Sequence, residues 1–459
     1  MEDFMIAIVE ERSPQTRSTT LMGGRSRGSF RYALGGLVEG SQMSKSSVLV
    51  VLLCLLTLLS VAPASRAIEK SLILEIGDPA RKDMKADLVL DAITDTRTGD
   101  LLSPAEMAQR LADKRLVLVG ESHTDINFHR AQLRVIQELH QAGRKVLLGL
   151  EMFPHTKQEF LTAWSGGEYT EEEFLDAAEW YDAWGYHWNY YREIFVFALD
   201  NGIPVYGLNT PREVISAVRK KGIDELSEEE KAQMPPGVDV DSEDHFALFK
   251  SYFDENEDFH ASMTEEQWRG MFAAQCTWDA TFANNALKVL KKHPDPGAVL
   301  VVLVGSGHTT YDLGIQRQMA QWEEVPTATV IPIPIVFEEE DGLIEAVQAS
   351  YADFIWGMPA ATDPIYPSLG LSTRSAGDEE TKRTVIFIAE ESVAESAGFQ
   401  MGDVLLEVDG QPIPDRATFS ELMAGMRWGD RAVIKVQRGE EEVDLEVAFR
   451  RQAAGSNSD

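Results

Sequence analysis

Cysteine is almost absent: the 459 residues hold two, Cys54 and Cys276. Cys54 lies in the longest apolar run, Val48 to Ala62, which follows Met43-Ser44-Lys45 and ends at Ser65-Arg66-Ala67. A basic start, a short apolar core and a small-x-small ending form the pattern of a secretory signal peptide over 43–67, with cleavage expected after Ala67. The apolar run is short for a membrane span, so no stable membrane insertion is expected after cleavage; an uncleaved anchor is the alternative. Residues 1–42 carry no periodic pattern, and a leader normally begins a chain. Met43 is therefore the expected start, with 1–42 a non-native or disordered extension. Cys54 is not preceded by the small residue that a lipoprotein signal requires. Cleavage leaves Cys276 alone, which excludes an intrachain disulfide, and a chain this long can bury a sufficient core without one. The expected location is the periplasm or the exterior.

Basic residues are also scarce. Lys and Arg number 42 against 75 Asp and Glu. Removing the seven basic and five acidic residues of 1–67 leaves 35 against 70, a net charge near −35. Such a surface repels nucleic acid and anionic membranes, so neither is expected as a partner.

Three segments follow the leader. Residues 68–345 alternate strand-like and helical stretches, 346–364 read as a connector with Trp356, Pro359 and Pro364, and 365–452 are strand-rich with one helix; 453–459 are expected to be a disordered tail. No internal repeat is present. The acidic, Pro-broken stretch 225–244 predicts an exposed loop. Expected helices are one opened by Ser103-Pro104-Ala105-Glu106, a crossover helix over Phe128 to Ala142, two over Lys157 to Ser165 and Glu171 to Trp184, and a long one over Thr264 to Lys292 with a Thr264-x-x-Gln267 box. Helices inserted between strands suggest a small helical subdomain. The fold class is α/β: a mainly parallel sheet flanked by helices, plus a C-terminal β-rich domain.

Four short apolar runs end in polar residues. Leu116 to Gly120 leads into Glu121-Ser122-His123, Val146 to Leu150 into Glu151-Met152, Ile203 to Leu208 into Asn209-Thr210-Pro211-Arg212, and Val299 to Val304 into Gly305-Ser306-Gly307-His308. Short continuous apolar runs followed by helices read as buried parallel strands, and ligands bind at the carboxyl ends of such strands. One sheet edge would then collect Glu121, His123, Glu151, Asn209, Arg212 and His308. A carboxylate two residues from an imidazole can bind a metal, orient a base or hold a ligand's polar rim; alternatively Glu121 caps a helix and the histidines are surface residues. His129 falls one turn into the next helix and can face the same cleft. Glu151 needs a partner if buried, and an ion pair with Arg212 is the structural alternative. Gly305 and Gly307 let backbone approach a ligand, or form a plain tight turn. Gln275 and Asp279 share a helix face that is directed either into the cleft or to solvent. The aromatic stretch Trp180 to Tyr191 suits either a macrocycle wall or packing against the sheet, and a Tyr or His in it can ligate haem iron.

Taken together, these residues resemble the ChaN-like haem-binding family, within the superfamily of Tiki-type and erythromycin-esterase-like proteins. The resemblance spans about 88 to 356 and rests on Asp95-Thr96-Arg97-Thr98-Gly99, Gly120-Glu121-Ser122-His123 with His129 and Gln132, Glu151-Met152 with Gln158, Trp184, Tyr191, Asn209-Thr210-Pro211-Arg212, Gln275-x-x-x-Asp279, and Gly305-Ser306-Gly307-His308 with Tyr311 and Gly314. It implies haem at a homodimer interface, iron ligated by a tyrosine, and propionates held by a histidine and a basic residue. Tyr191 is the first candidate ligand, with Tyr190 and Tyr186 behind it. His129, Asn209, Arg212, Gln275 and Asp279 are the other candidate cofactor contacts.

The third segment resembles a bacterial-type PDZ domain. Ser368-Leu369-Gly370-Leu371 looks like its carboxylate-binding loop, and Ala394-Glu395-Ser396-Ala397-Gly398, Gly402-Asp403-Val404-Leu405-Leu406 and Asp409-Gly410 look like its central signature. Arg416 to Met426 would be the groove helix, with Phe419, Leu422 and Met423 on one face and Leu369, Gly370 and Leu371 presenting N–H groups to a C-terminal or unfolded peptide. A β-domain used only for docking is the alternative.

The leading reading is an exported haem- or iron-binding protein with a peptide-binding module. The competing reading is a metal-dependent hydrolase of the esterase or peptidase kind. In it Glu121, His123, Glu151 and His308 would be catalytic, and Glu121, His123 and His308 would hold zinc or manganese. A pure scaffold with a vestigial cleft is the third.

Overall fold

The computed structural model describes residues 70–253, 263–335, 346–361, 364–376 and 379–451. The expected leader, the extension 1–42 and the tail 453–459 lie outside the described residues. The main sheet has eight strands in the order β3-β2-β10-β8-β4-β7-β5-β6. They are β2 (Ile93–Asp95), β3 (Leu101–Leu102), β4 (Leu116–Glu121), β5 (Lys145–Pro154), β6 (Val205–Asn209), β7 (Ala298–Gly305), β8 (Thr327–Ile335) and β10 (Phe354–Pro359). Strands β10, β8, β4, β7, β5 and β6 run parallel, and β2 and β3 add an antiparallel edge. Separately, β1 (Lys85–Asp87) pairs with β9 (Ala346–Gln348).

Every residue of β4 and β7 is buried, as continuous apolar runs in a doubly covered parallel sheet require. Alternate side chains serve opposite faces. Val117, Val119, Val301 and Leu303 pack toward the helix Ile126–Gln141 and an aromatic cluster, whereas Leu118, Leu300 and Val302 pack toward the helix Glu265–Lys292. Each such buried side chain contributes roughly 1.5–3 kcal/mol. The long helix opens with the expected box between Thr264 and Gln267.

Several expectations need correcting. The 346–364 stretch is no mere connector: it supplies β9 and β10, and β10 closes the parallel sheet beside β8. The single helix expected over Glu171 to Trp184 is two, Glu171–Ala177 and Trp180–Ala183, broken where Glu179 takes the left-handed backbone at φ 53°. The 225–244 loop contains a short helix, Glu228–Ala232, with its own capping box. Most of the aromatic stretch packs in the core, and Trp184 also lines the cleft described below. Trp180 meets Trp188 at 4.9 Å and 81°; Trp180 also meets Phe153, Trp188 meets Phe174, and both meet Phe195.

The C-terminal unit is an antiparallel sheet of six strands in the order β11-β12-β13-β15-β16, with β14 on β13. They are β11 (Leu371–Ala376), β12 (Glu379–Ile388), β13 (Val404–Val408), β14 (Gln411–Pro412), β15 (Arg431–Arg438) and β16 (Glu441–Ala448). It packs on its own core of Val385, Leu405, Ile434 and Val447. It also leans on the helical subdomain. The Tyr366 ring stacks on His187 at 3.5 Å and 8°, and its hydroxyl accepts from Asn189 at 3.0 Å.

Candidate functional site

The parallel register sets the site. Glu121 pairs with Gly305 across β4 and β7, so the polar ends of both strands lie side by side. Strand β5 runs past Leu150, which places Glu151 within the strand and beside Gly305. A cleft of about 950 Å³ opens over these ends.

Glu121 is 4% exposed, and its oxygens are fully engaged. Oε1 is 2.7 Å from His123 Nδ1 and accepts from the Tyr191 hydroxyl at 2.7 Å; Oε2 accepts from Gln132 Nε2 at 2.6 Å, with His129 Nδ1 at 3.7 Å. Burial opposes its ionisation, but His129, His123 and Tyr191 hold its pKa down at about 2. It is therefore a fixed anion and not an acid. His123, in turn, has Nδ1 tied to Glu121, while Nε2 has no hydrogen-bond partner among the described residues and faces the cleft. Burial works against its charge, yet the bond to Glu121 and the charges of Glu121 and Glu151 raise its pKa. Trp184 meets the ring edge-on at 4.9 Å, and Tyr186 lies tilted at 4.9 Å. Gly305 lies against both groups: a Cβ on it would be in ordinary contact, 3.5 Å from His123 Cε1 and 3.6 Å from Glu151 Oε2.

The second half of the site centres on His308. Its Nδ1 is 2.6 Å from Asp279 Oδ1 and its Nε2 is 3.4 Å from Glu151 Oε1. The Gln275 amide lies 2.9 Å from the same Nδ1. Burial disfavours the imidazolium, but the two carboxylates raise its pKa to about 9. Burial raises Asp279, and Glu151 is held low against burial by His308. The Glu151 carboxylate also accepts from the Gly305 N–H at 2.6 Å, and its carbonyl accepts from Asn209 Nδ2 at 2.9 Å. Glu151 thus pairs with His308 rather than with Arg212, which reaches the Ala183 carbonyl at 3.4 Å.

Glu121, His123, Glu151, His308, Gln275, Asn209 and Arg212 all line the cleft, and Asp279 supports it from beneath. His129 lies behind Glu121, its Nε2 bonded to the His123 carbonyl at 3.0 Å. Tyr186, Tyr190 and Tyr191 are not among the residues that line the cleft. Tyr191 is fully buried, spends its proton on Glu121, and is pushed well above the ordinary phenol pKa by burial and that carboxylate. Tyr190 is buried and borders a separate cavity of about 500 Å³. Tyr186 is half-buried over His123. Among the described residues no group of three His, Cys, Asp or Glu side chains is arranged to hold a metal ion.

Sequence reading missed His245, whose Nε2 is 3.7 Å from Asp279 Oδ2, and whose pKa burial, Arg317 and His308 lower to about 3. It also missed Arg383 and Arg416, which reach the cleft from the C-terminal unit. Nothing in their spacing tied them to the strand ends.

In that unit, Leu369 is buried and Gly370 has φ 71°. Their carbonyls accept from Ala394 and Ala389, both at 2.8 Å, while their N–H groups donate to no partner among the described residues. Leu371 starts β11, the free edge of its sheet. Phe419, Leu422 and Met423 are half-buried on the domain's core.

A carboxylate–imidazole cleft at the carboxyl ends of a mainly parallel sheet, joined to a smaller antiparallel domain, defines a two-domain protein of α/β plus β architecture. Residues 107–319 match the family described as haem-binding uptake, Tiki superfamily, ChaN, and residues 367–449 match the PDZ domain. The chain accordingly carries a ChaN-like haem-binding domain of the Tiki superfamily followed by a PDZ domain. Among solved structures it is similar to ChaN of Campylobacter jejuni with cofacial haem, at 18% identity over 57% of this chain and 95% of that one, TM-score 0.42. It is similar to an erythromycin esterase mutant in its open conformation at 11% identity, over 57% and 82%, TM-score 0.32. The PDZ domain of HtrA3 bound to a phage-derived ligand is similar at 20% identity, over 18% and 82%, TM-score 0.16. No curated protein matches the chain. Among the described residues no helix is long and apolar enough to cross a membrane.

Proposed function

We propose that the chain is an exported haem-binding protein whose PDZ domain recruits it to peptide C-termini, acting in iron handling as a homodimer in the periplasm or outside the cell. The domains are proposed to span 68–361 and 365–452, after cleavage at Ala67. The observation that carries the reading is His123: a carboxylate-anchored imidazole whose free Nε2 opens into a cleft large enough for a tetrapyrrole. A carboxylate behind a histidine fixes its tautomer and raises its basicity as a ligand. Phe128, Met152, Trp184 and Trp278 give the cleft apolar walls, and arginines stand at its mouth. These residues fit haem. His123 would hold the iron, the apolar walls the ring, and the arginines the propionates; bound haem would supply iron for transfer or redox chemistry.

A raised His123 pKa favours the protonated ring, so ligation should strengthen as pH rises and the imidazole loses its proton. Haemin titration followed at the Soret band, from pH 6 to pH 9, tests this. His123→Ala is expected to abolish the shifted band. A shift of equal strength in that variant removes His123 from the site, and no shift in the parent protein ends the haem reading.

A second reading is hydrolysis without a metal, with His123 as general base oriented by Glu121. The Glu121–His123 contact favours it. Turnover of ester probes that His123→Ala abolishes would establish it, and absence of turnover would dismiss it.

A further inference from the structure

We infer that the PDZ domain is part of the cleft, and that Arg416 with Arg212 forms a two-guanidinium clamp at its mouth for the carboxylates of an amphiphilic ligand. The haem reading supplies the proposed ligand; the clamp itself rests on the following geometry. Arg212 comes from the first turn after β6, and its Nη2 donates to the Ala183 carbonyl at 3.4 Å. Arg416 is the first residue of the PDZ helix Arg416–Ala424, and its Nη1 donates to the Asp182 carbonyl, also at 3.4 Å. Two guanidinium groups from different domains therefore meet on consecutive carbonyls of one turn. Gly185 lies directly under this approach: its φ is 84°, and a Cβ there would stand 2.9 Å from Arg416 Nη2, the movable end of that side chain.

Acidic residues outnumber basic ones 75 to 42, yet neither arginine has an ion-pair partner among the described residues. Each side chain carries five N–H donors and spends one on a long bond. Both bonds lie at exposed positions, so the two guanidinium groups are solvated and open to an incoming anion. A planar guanidinium suits a carboxylate because two parallel N–H groups can bond its two oxygens. Both residues line the cleft whose floor holds His123, so a ligand seated on that imidazole would present its polar end to them. The apolar walls between floor and mouth select a ligand with a broad hydrophobic body and terminal carboxylates.

The test uses the full chain, its Arg416→Gln and Arg212→Gln variants, and three probes. The probes are haemin, haemin dimethyl ester, which lacks the charges, and cis-parinarate, a fluorescent fatty carboxylate. Binding is read by tryptophan quenching and probe fluorescence as well as by the Soret band. Each substitution is expected to weaken haemin roughly tenfold, the scale of one charge-assisted pair, and to leave the ester unchanged. Unchanged haemin affinity in Arg416→Gln overturns the clamp and leaves the haem reading standing. Equal weakening of haemin and ester shows a packing role and overturns the clamp as well. Parinarate held through Arg416 by a protein indifferent to haemin keeps the clamp and ends the haem reading. A protein that binds none of the three contradicts both.

Discussion

Glu121 Oε1 stands 2.7 Å from His123 Nδ1 and 2.7 Å from the Tyr191 hydroxyl, so one carboxylate oxygen fixes an imidazole and a phenol together. The phenol is thereby a donor inside the core and the imidazole becomes the group turned to the cleft. Tyr191→Phe should keep the haemin Soret shift and cost about 1.5–3 kcal/mol of stability, the scale of a lost hydrogen bond to a charged group. Chemical unfolding and haemin titration of the same variant measure both. A variant that folds normally but no longer shifts the Soret band would restore Tyr191 as the iron ligand.

The two halves of the site should give stability two pH limits. Glu121 has a folded pKa of about 2 against an ordinary 4.5. Its contribution is complete above pH 4.5 and is lost as pH falls toward 2, a loss of about 3 kcal/mol if the whole shift is realised. His308 has a folded pKa of about 9 against 6.5. Its contribution is complete below pH 6.5 and is lost as pH rises through 9. Urea unfolding between pH 3 and pH 9.5 should show both limbs. Glu121→Gln should flatten the acid limb alone, and His308→Gln the alkaline limb alone. Limbs that persist in those variants would assign the titrations to other groups.

The parallel sheet was legible because its strands are unbroken apolar runs, each ending in a polar turn, and burial on both faces leaves no alternation to confuse them. The same pattern located Glu121, His123, Glu151 and His308. What it could not locate was direction. Tyr191 and His123 are both polar aromatics near the cleft, and only the packing of Trp180 and Trp188 around Tyr191 decides which one turns inward. The strands of 346–364 were hidden because β9 has only three residues and β10 carries Gly357 and Pro359, residue types that read as turn signals. Arg416 was beyond reach, since the approach of one domain to another leaves no periodic trace in either.

In the PDZ domain, Gly370 carries two demands at once: a left-handed φ of 71°, and a Cβ position only 2.5 Å from Ser392 Cβ. Gly370→Ala should distort the loop that offers the N–H groups of Leu369 and Gly370 and reduce binding of a C-terminal peptide at least tenfold, on the scale of strain at such a site. Fluorescence polarisation with free-acid and amidated peptides on the full chain measures it. The parent protein should prefer the free acid. Equal binding of both peptides would show that the loop does not capture a carboxylate.

His123, and not a tyrosine, is the proposed ligand of haem iron. The most direct test is electron paramagnetic resonance of the haemin complex, comparing protein with ¹⁵N-labelled and unlabelled histidine. A nitrogen hyperfine coupling that changes with the label, and disappears in His123→Ala, is the predicted result. A spectrum of phenolate-ligated iron, insensitive to the label and unchanged in His123→Ala, would contradict the account.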